Sequence, residues 1–180
     1  QMQLRDHIDS TGLQTDRKLA NWTLSLSGDA RDTFLSGGIT TWHAGWASGR
    51  VDFKDAAAQL SDAATAKTEG GFSKWNANLG RRQALSRKSA LYLVLLGQWA
   101  NDNLDSSQKM IAGGPYTVRA YEMGAISGDT GYLATAEFRY DLGSAWRGQW
   151  QAVAFVDSAH VTVNKTTWAT GANSATLTGA

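Results

Sequence analysis

Between residues 131 and 142 the side chains alternate with a period of two. Tyr132, Ala134, Ala136, Phe138, Tyr140 and Leu142 fall on one parity, and Leu133, Thr135, Glu137, Arg139 and Asp141 on the other. A helix repeats every 3.6 residues and would mix these sets, whereas a strand sends alternate side chains to opposite faces. A strand face carrying Glu, Arg and Asp must meet water or a charge network, because an unpaired buried charge is too costly. The opposite face is wholly apolar or aromatic.

The pattern recurs along the chain. Trp150, Ala152, Ala154 and Val156 share one face, and Gln149, Gln151, Val153, Phe155, Asp157 and Ala159 the other. Trp22, Leu24 and Leu26 oppose Asn21, Thr23, Ser25 and Ser27, and Trp42, Ala44 and Trp46 alternate with Thr41, His43 and Gly45. Trp75, Ala77 and Leu79 alternate with Lys74, Asn76 and Asn78, while residues 89–101 are apolar on both faces in their middle. With a short stretch around Met2 and Leu4, this predicts about seven strands, and another begins near the last residue. Most approach the roughly 9–11 residues that a tilted strand needs to cross a bilayer. Aromatic residues stand near most strand ends, at the level of a headgroup layer. A soluble antiparallel sheet with one wet face gives the same alternation, so pattern alone leaves both readings open.

Connection lengths favour the membrane reading. Short turns are expected at 28–34, 83–88 and 143–148. Between them stand long segments at 7–18, 50–70, 102–129 and 162–174, in strict alternation. Membrane barrels have short turns on one side and long loops on the other, and a compact soluble domain rarely carries several long structureless loops. Residues 55–68 favour a short helix within their loop, and Lys54, Asp55 and the other loop charges read as solvated. The mean hydropathy of −0.34 does not oppose a barrel, whose alternating faces average out. The longest apolar run, residues 90–96, is far below the roughly 18 of a membrane helix.

Composition narrows the chemistry. Seventeen basic and sixteen acidic residues leave a net charge of +1, which gives no support to nucleic-acid binding. With no cysteine there is neither a disulfide framework nor a thiolate metal site. His7, His43 and His160 are scattered, so no metal ligand set is expected, and no GxSxG marks a nucleophile. No catalytic residue and no cofactor are assigned. The glycine-rich stretch 113–131, GGPYTVRAYEMGAISGDTG, is followed by a strand rather than a helix. It therefore lacks the helix N-terminus that a phosphate loop uses. By itself Arg119 there reads as a solvated loop arginine.

The stretch GGPYTVRAYEMGAISGDTGYLATAEFRYDL resembles the signature loop and following strand of the two-partner secretion transporters, the hemolysin secretion/activation family. AFVDSAHV resembles that family's F-x-D-x-G segment. LRDHIDSTG, LSLSGD, GQWANDNLDSSQKM and GANSATLTGA extend the similarity across almost the whole chain. The resemblance implies an all-β fold: an antiparallel transmembrane β-barrel fragment holding middle and later strands of a 16-stranded barrel. Residues 1–180 would form one partial translocator domain, without the periplasmic polypeptide-binding domains and the final strands. It implies transport rather than an enzyme. An outer-membrane pore in a Gram-negative bacterium, a monomer surrounded by outer-membrane lipid, would secrete and activate a large adhesin- or hemolysin-like exoprotein. An assembly insertase of the same superfamily, a passive porin and a soluble β-sheet binding module are the rival readings.

The resemblance also assigns a site. The signature loop folds back into the lumen, with Val118, Arg119, Ala120 and Tyr121 at its tip. Arg119 packs against the inner wall near Phe155 and Asp157. Parity places Phe155, Asp157, Glu137 and Arg139 on the charged side of their strands. Ala120 and Ala159 stand where the family has glycine. A positive φ at 120 would disfavour alanine, and both methyls are expected to crowd the loop against the wall.

Overall fold

The computed structural model describes residues 2–8, 13–145 and 147–180, with side chains from residue 16 onward. Eight strands form one antiparallel sheet. They are β1 (Met2–Ile8), β2 (Leu13–Asp32), β3 (Gly38–Phe53), β4 (Gly70–Ala84), β5 (Ser89–Ala100), then, after a two-stranded ribbon, β8 (Thr130–Ala145), β9 (Gly148–Thr162) and β10 (Ser174–Gly179). The ribbon, β6 (Met110–Ala112) with β7 (Ile126–Gly128), rises from the long connection between β5 and β8. Each large strand pairs with its sequence neighbour, so the sheet is an up-and-down meander, open between β1 and β10.

The parity sets map onto two faces. Trp22, Leu24, Leu26, Trp75, Leu79, Leu95, Trp99, Tyr132, Phe138 and Trp150 are all exposed on one face. This apolar band runs oblique to the hydrogen-bonded rows. One row joins Asp32, Gly38, Gln83, Leu91, Phe138 and Ala154, and so passes from polar to apolar. Another joins Leu26, Ala44, Ala77, Gly97, Tyr132 and His160, and passes the other way. Trp46 meets Trp22 edge-on at 4.6 Å and Trp75 at 6.3 Å between ring centroids. Among the described residues no helix is long and apolar enough to cross a membrane, which says nothing of crossing by strands.

The other face carries two small cores. Leu19, Val51, Phe72 and Ala100 are roofed by Leu104 at the long-loop end. Ala112, Val118, Leu133, Ala159 and Leu177 pack together nearer the middle. Loop residues supply Leu104 and Val118, so loops fold over this face rather than away from it.

Several expectations change. The long loop expected at 7–18 is mostly strand, since β1 runs to Ile8 and β2 starts at Leu13, with those two residues paired. Residues 9–12 lie outside the described residues. Charged residues there misled the reading, because a strand that projects beyond the apolar band has no need of apolar side chains. The turn expected at 28–34 lies at 33–37, with Gln83 Nε2 donating to the Phe34 carbonyl at 2.7 Å and the Gly37 carbonyl at 3.0 Å. The alternation of β8 breaks at Leu142, where the register against β9 skips from Asp141 to Gly143. Gly143 takes φ = 86°, the left-handed conformation such a bulge needs. The expected helix is present as α1 (Ala56–Ala64), capped by the Asp55 carboxylate, which accepts from Ala57 N at 3.2 Å.

Lys54 and Asp55 are exposed as expected, but other loop charges are buried. Arg17 pairs with Asp105 at 2.6 Å and Lys54 with Asp16 at 3.4 Å. Buried Asp62 accepts from Thr68 N and Glu69 N, folding the chain back after α1. Asp129, fully buried, accepts from Leu104 N at 3.1 Å and Lys165 N at 2.8 Å and pairs with Lys109 at 3.0 Å. Asn103 donates to the Ala66 and Thr166 carbonyls. These side chains satisfy backbone groups that no sheet neighbour reaches, and they stitch three loops into one layer.

Candidate functional site

The site forms where the ribbon's connecting segment, residues 113–125, reaches the face of β8 and β9 opposite the apolar band. Antiparallel register sets Glu137 opposite Phe155 and Thr135 opposite Asp157, on one face. Both carboxylates therefore point at the same patch. Asp157 is fully buried and Glu137 nearly so. Two buried carboxylates in one place need cations, because desolvating an unpaired charge costs several kcal/mol, on the order of a whole domain's margin.

Arg119 supplies the first. Its Nε donates to Asp157 Oδ2 at 2.8 Å and its Nη2 to Asp157 Oδ1 at 3.0 Å, a two-pronged pair. Its Nη1 donates to Glu137 Oε2 at 2.5 Å, and its backbone N–H adds a bond to Asp157 Oδ2 at 3.2 Å. The guanidinium carbon lies 3.5 Å from the centre of the Phe155 ring. Hydrogen bonds donated to Asp157 first, and to Glu137, hold the Arg119 pKa above its already high ordinary value against the opposing effect of burial. The charge is thus permanent. Lysine offers one point charge where this geometry uses a planar fork.

Arg139 supplies the second cation. Its Nε donates to Glu137 Oε1 at 2.5 Å, and its guanidinium lies 4.3 Å from the centre of the Tyr92 ring. Glu137 is therefore shared between a loop arginine and a wall arginine, whereas Asp157 depends on Arg119.

Ion pairs alone do not hold the segment. Fixing each residue's backbone costs about 1–2 kcal/mol, so residues 113–125 need apolar burial as well. Val118 provides it, wholly buried against Ala112, Leu133, Ala159 and Leu177. Tyr121 stays at the surface and donates from its hydroxyl to the Thr178 carbonyl at 3.3 Å. The segment thus bridges β8, β9 and β10.

All eight residues assigned to the site come together: Val118, Arg119, Ala120 and Tyr121 on the segment, and Glu137, Arg139, Phe155 and Asp157 on the wall. The expected strain at Ala120 is absent, since it is not among the described non-glycine residues with positive φ. Its methyl instead lies 3.0 Å from where a Cβ on Gly179 would stand. The glycine sits on β10, so the close approach is accommodated by the wall. Ala159 is fully buried beside Val118 without crowding it out.

Sequence reasoning missed Tyr92, which supports Arg139, and the Asp129–Lys109 pair that ties down the base of the same connection. Tyr92 lay in a stretch apolar on both faces, where parity gave no signal. Asp129, just before a strand, had no partner in sequence to mark it. Among the described residues no cluster of His, Cys, Asp or Glu could hold a metal ion.

The family model described as haemolysin secretion/activation protein ShlB/FhaC/HecB matches residues 2–180. Heme/hemopexin transporter protein HuxB of Haemophilus influenzae, in strain Rd and in strain 86-028NP, is 39% identical over 71 residues. That match covers 39% of this chain and 13% of each relative's length. No solved structure matches.

Proposed function

From the premise that this chain belongs to the haemolysin secretion/activation family ShlB/FhaC/HecB, we propose that it forms part of a β-barrel pore in a Gram-negative outer membrane. The pore exports a large exoprotein, adhesin- or hemolysin-like, in an unfolded state. The observation that carries this reading is the Arg119 tip seated on paired carboxylates of the inner wall. A loop held inside a polar wall narrows the path without sealing it, and a salt-bridged anchor can be exchanged for water or for a passing chain.

The oblique apolar band supports the barrel. Strands of a closed barrel tilt by about 35–45°, so the membrane plane cuts their hydrogen-bonded rows at an angle. A flat sheet lying against a membrane would carry its apolar band along the rows. Residues 91–99 on β5 match the roughly 9–11 residues that such a strand places in the bilayer. Short turns then face the periplasm and the stitched loops face outward. Transport there has no nucleotide to draw on, and folding of the exoprotein outside can bias its movement.

The test is Arg119→Ala in the full-length protein, read by exoprotein in the medium and by protease access to residues 113–125. Secretion is expected to fall at least about tenfold while the barrel stays inserted. Unchanged secretion with the segment released would contradict the anchoring role. A steady conductance indifferent to any exoprotein would favour a passive porin.

A further inference from the structure

The inner wall carries a second feature at the short-turn end. The row that ends on the anchored arginine's partners, Phe155 and Glu137, continues through Tyr92, Arg82 and Ile39 to Arg31. Arg31 and Arg82 are exposed and line a cavity of about 340 Å³ together with Ile39, Ser36 and Gly37. Neither arginine is ion-paired among the described residues; Arg82 has only the Tyr92 ring, 5.7 Å from its guanidinium. The neighbouring Arg81, on the opposite face, is fully engaged by Asp32, Thr40 and Gln83. Two adjacent arginines on one strand are thus treated oppositely, one saturated on the outside and one left free on the inside.

The surroundings reinforce the positive field. Arg87, Lys88 and Arg147 stand in or beside the short turns, and none is ion-paired among the described residues. Acidic groups near this end are fewer. Asp141 accepts from Gly143 N, Glu137 is held between Arg119 and Arg139, and Asp29 shares the inner face with Arg31. A cleft lined by one sign of charge concentrates ligands of the other sign.

We propose that the Arg31–Arg82 cavity is a docking point for carboxylate side chains of the exported polypeptide, the first wall site it meets before the Arg119 tip. The occupant is a protein segment rather than a lipid headgroup, because Arg31, Ile39 and Arg82 lie in one row on the face opposite the apolar band. Arg82 and Tyr92 then lead that segment along the row toward Glu137, where a second carboxylate competes for Arg119 and Arg139. This rests on the translocation reading above and names the chemistry of what is moved.

The experiment uses the full-length protein in planar bilayers, with poly-glutamate or poly-lysine peptides added on the short-turn side at fixed voltage. Wild-type pores are expected to show long poly-glutamate blockades and none with poly-lysine. Arg31→Gln with Arg82→Gln should shorten the dwell time about tenfold, a loss in the range of a close charge contact. Arg31→Lys with Arg82→Lys should keep it within about threefold, which separates charge from misfolding. Equal dwell times in wild type and the Gln double variant, with the pore still conducting, overturn the docking role alone. A dwell-time contrast that vanishes when phosphatidylglycerol is left out overturns it in favour of a lipid headgroup. Wild-type protein that opens no pore overturns the translocation reading and this inference with it.

Discussion

Arg119 and Asp157 are unequal partners, and substitution should show it. Removing Arg119 leaves Asp157 fully buried and without a cation, a change of about 3–5 kcal/mol when one member of a buried pair is lost. Arg119→Lys should recover part of the anchoring, because charge survives while the fork is lost; protease protection of residues 113–125 orders the three proteins. Gly179→Val should loosen the tip almost as much, since a Cβ there stands 3.0 Å from the Ala120 methyl and a larger side chain crowds it further. The double variant Gly179→Val with Ala120→Gly should restore protection. If Gly179→Val protects as well as wild type, the contact with β10 does not hold the tip. At this scale the sequence told a divided story. Parity put Glu137 and Asp157 on one face from residue types alone, but nothing in the loop itself distinguished Arg119 from a solvated arginine until the resemblance supplied its partner. The crowding anticipated at Ala120 was misjudged because the glycine that relieves it lies on another strand.

Strands and loops were legible to different degrees. Apolar alternation located β3, β4, β8 and β9 because the parity on the exposed apolar face is apolar throughout, while β5 stood out only as an apolar run. It failed at both ends of β2, where the strand leaves the apolar band and polar residues continue the ladder. It failed at Leu142, where a bulge changes the register by one. The loops were least legible. Asp129, Asn103 and Asp62 look like solvated polar residues in sequence, but each binds backbone groups of segments distant in the chain. Asp129→Ala should therefore expose residues 101–109 and 163–173 to hydrogen exchange. The amides of Leu104 and Lys165 lose their acceptor, and each unsatisfied group costs about 1–3 kcal/mol. Arg119 should stay seated, because its contacts are all to β8 and β9. Exchange unchanged in both segments would show that the loop layer is held by other contacts.

Across the whole molecule, the two faces of the sheet should respond oppositely to charge. Leu95, at the middle of the apolar stretch on β5, is exposed on the outer face. Arginine there should cost about 2–4 kcal/mol of barrel stability, the depth-dependent penalty for a charge facing lipid. Thr135→Arg, on the inner face beside Asp157, should leave insertion unchanged. The chain carries no cysteine, so single cysteines report each face without interference from these residues. In a barrel β8 has lipid on one side and water on the other, and cysteine replacement at successive positions from 134 to 141 in outer-membrane vesicles of the full-length protein tests this most directly. A membrane-impermeant thiol reagent should label 135, 139 and 141 and spare 134, 136, 138 and 140. Labelling at 134, 136 and 138 equal to that at 135 and 139 would contradict it.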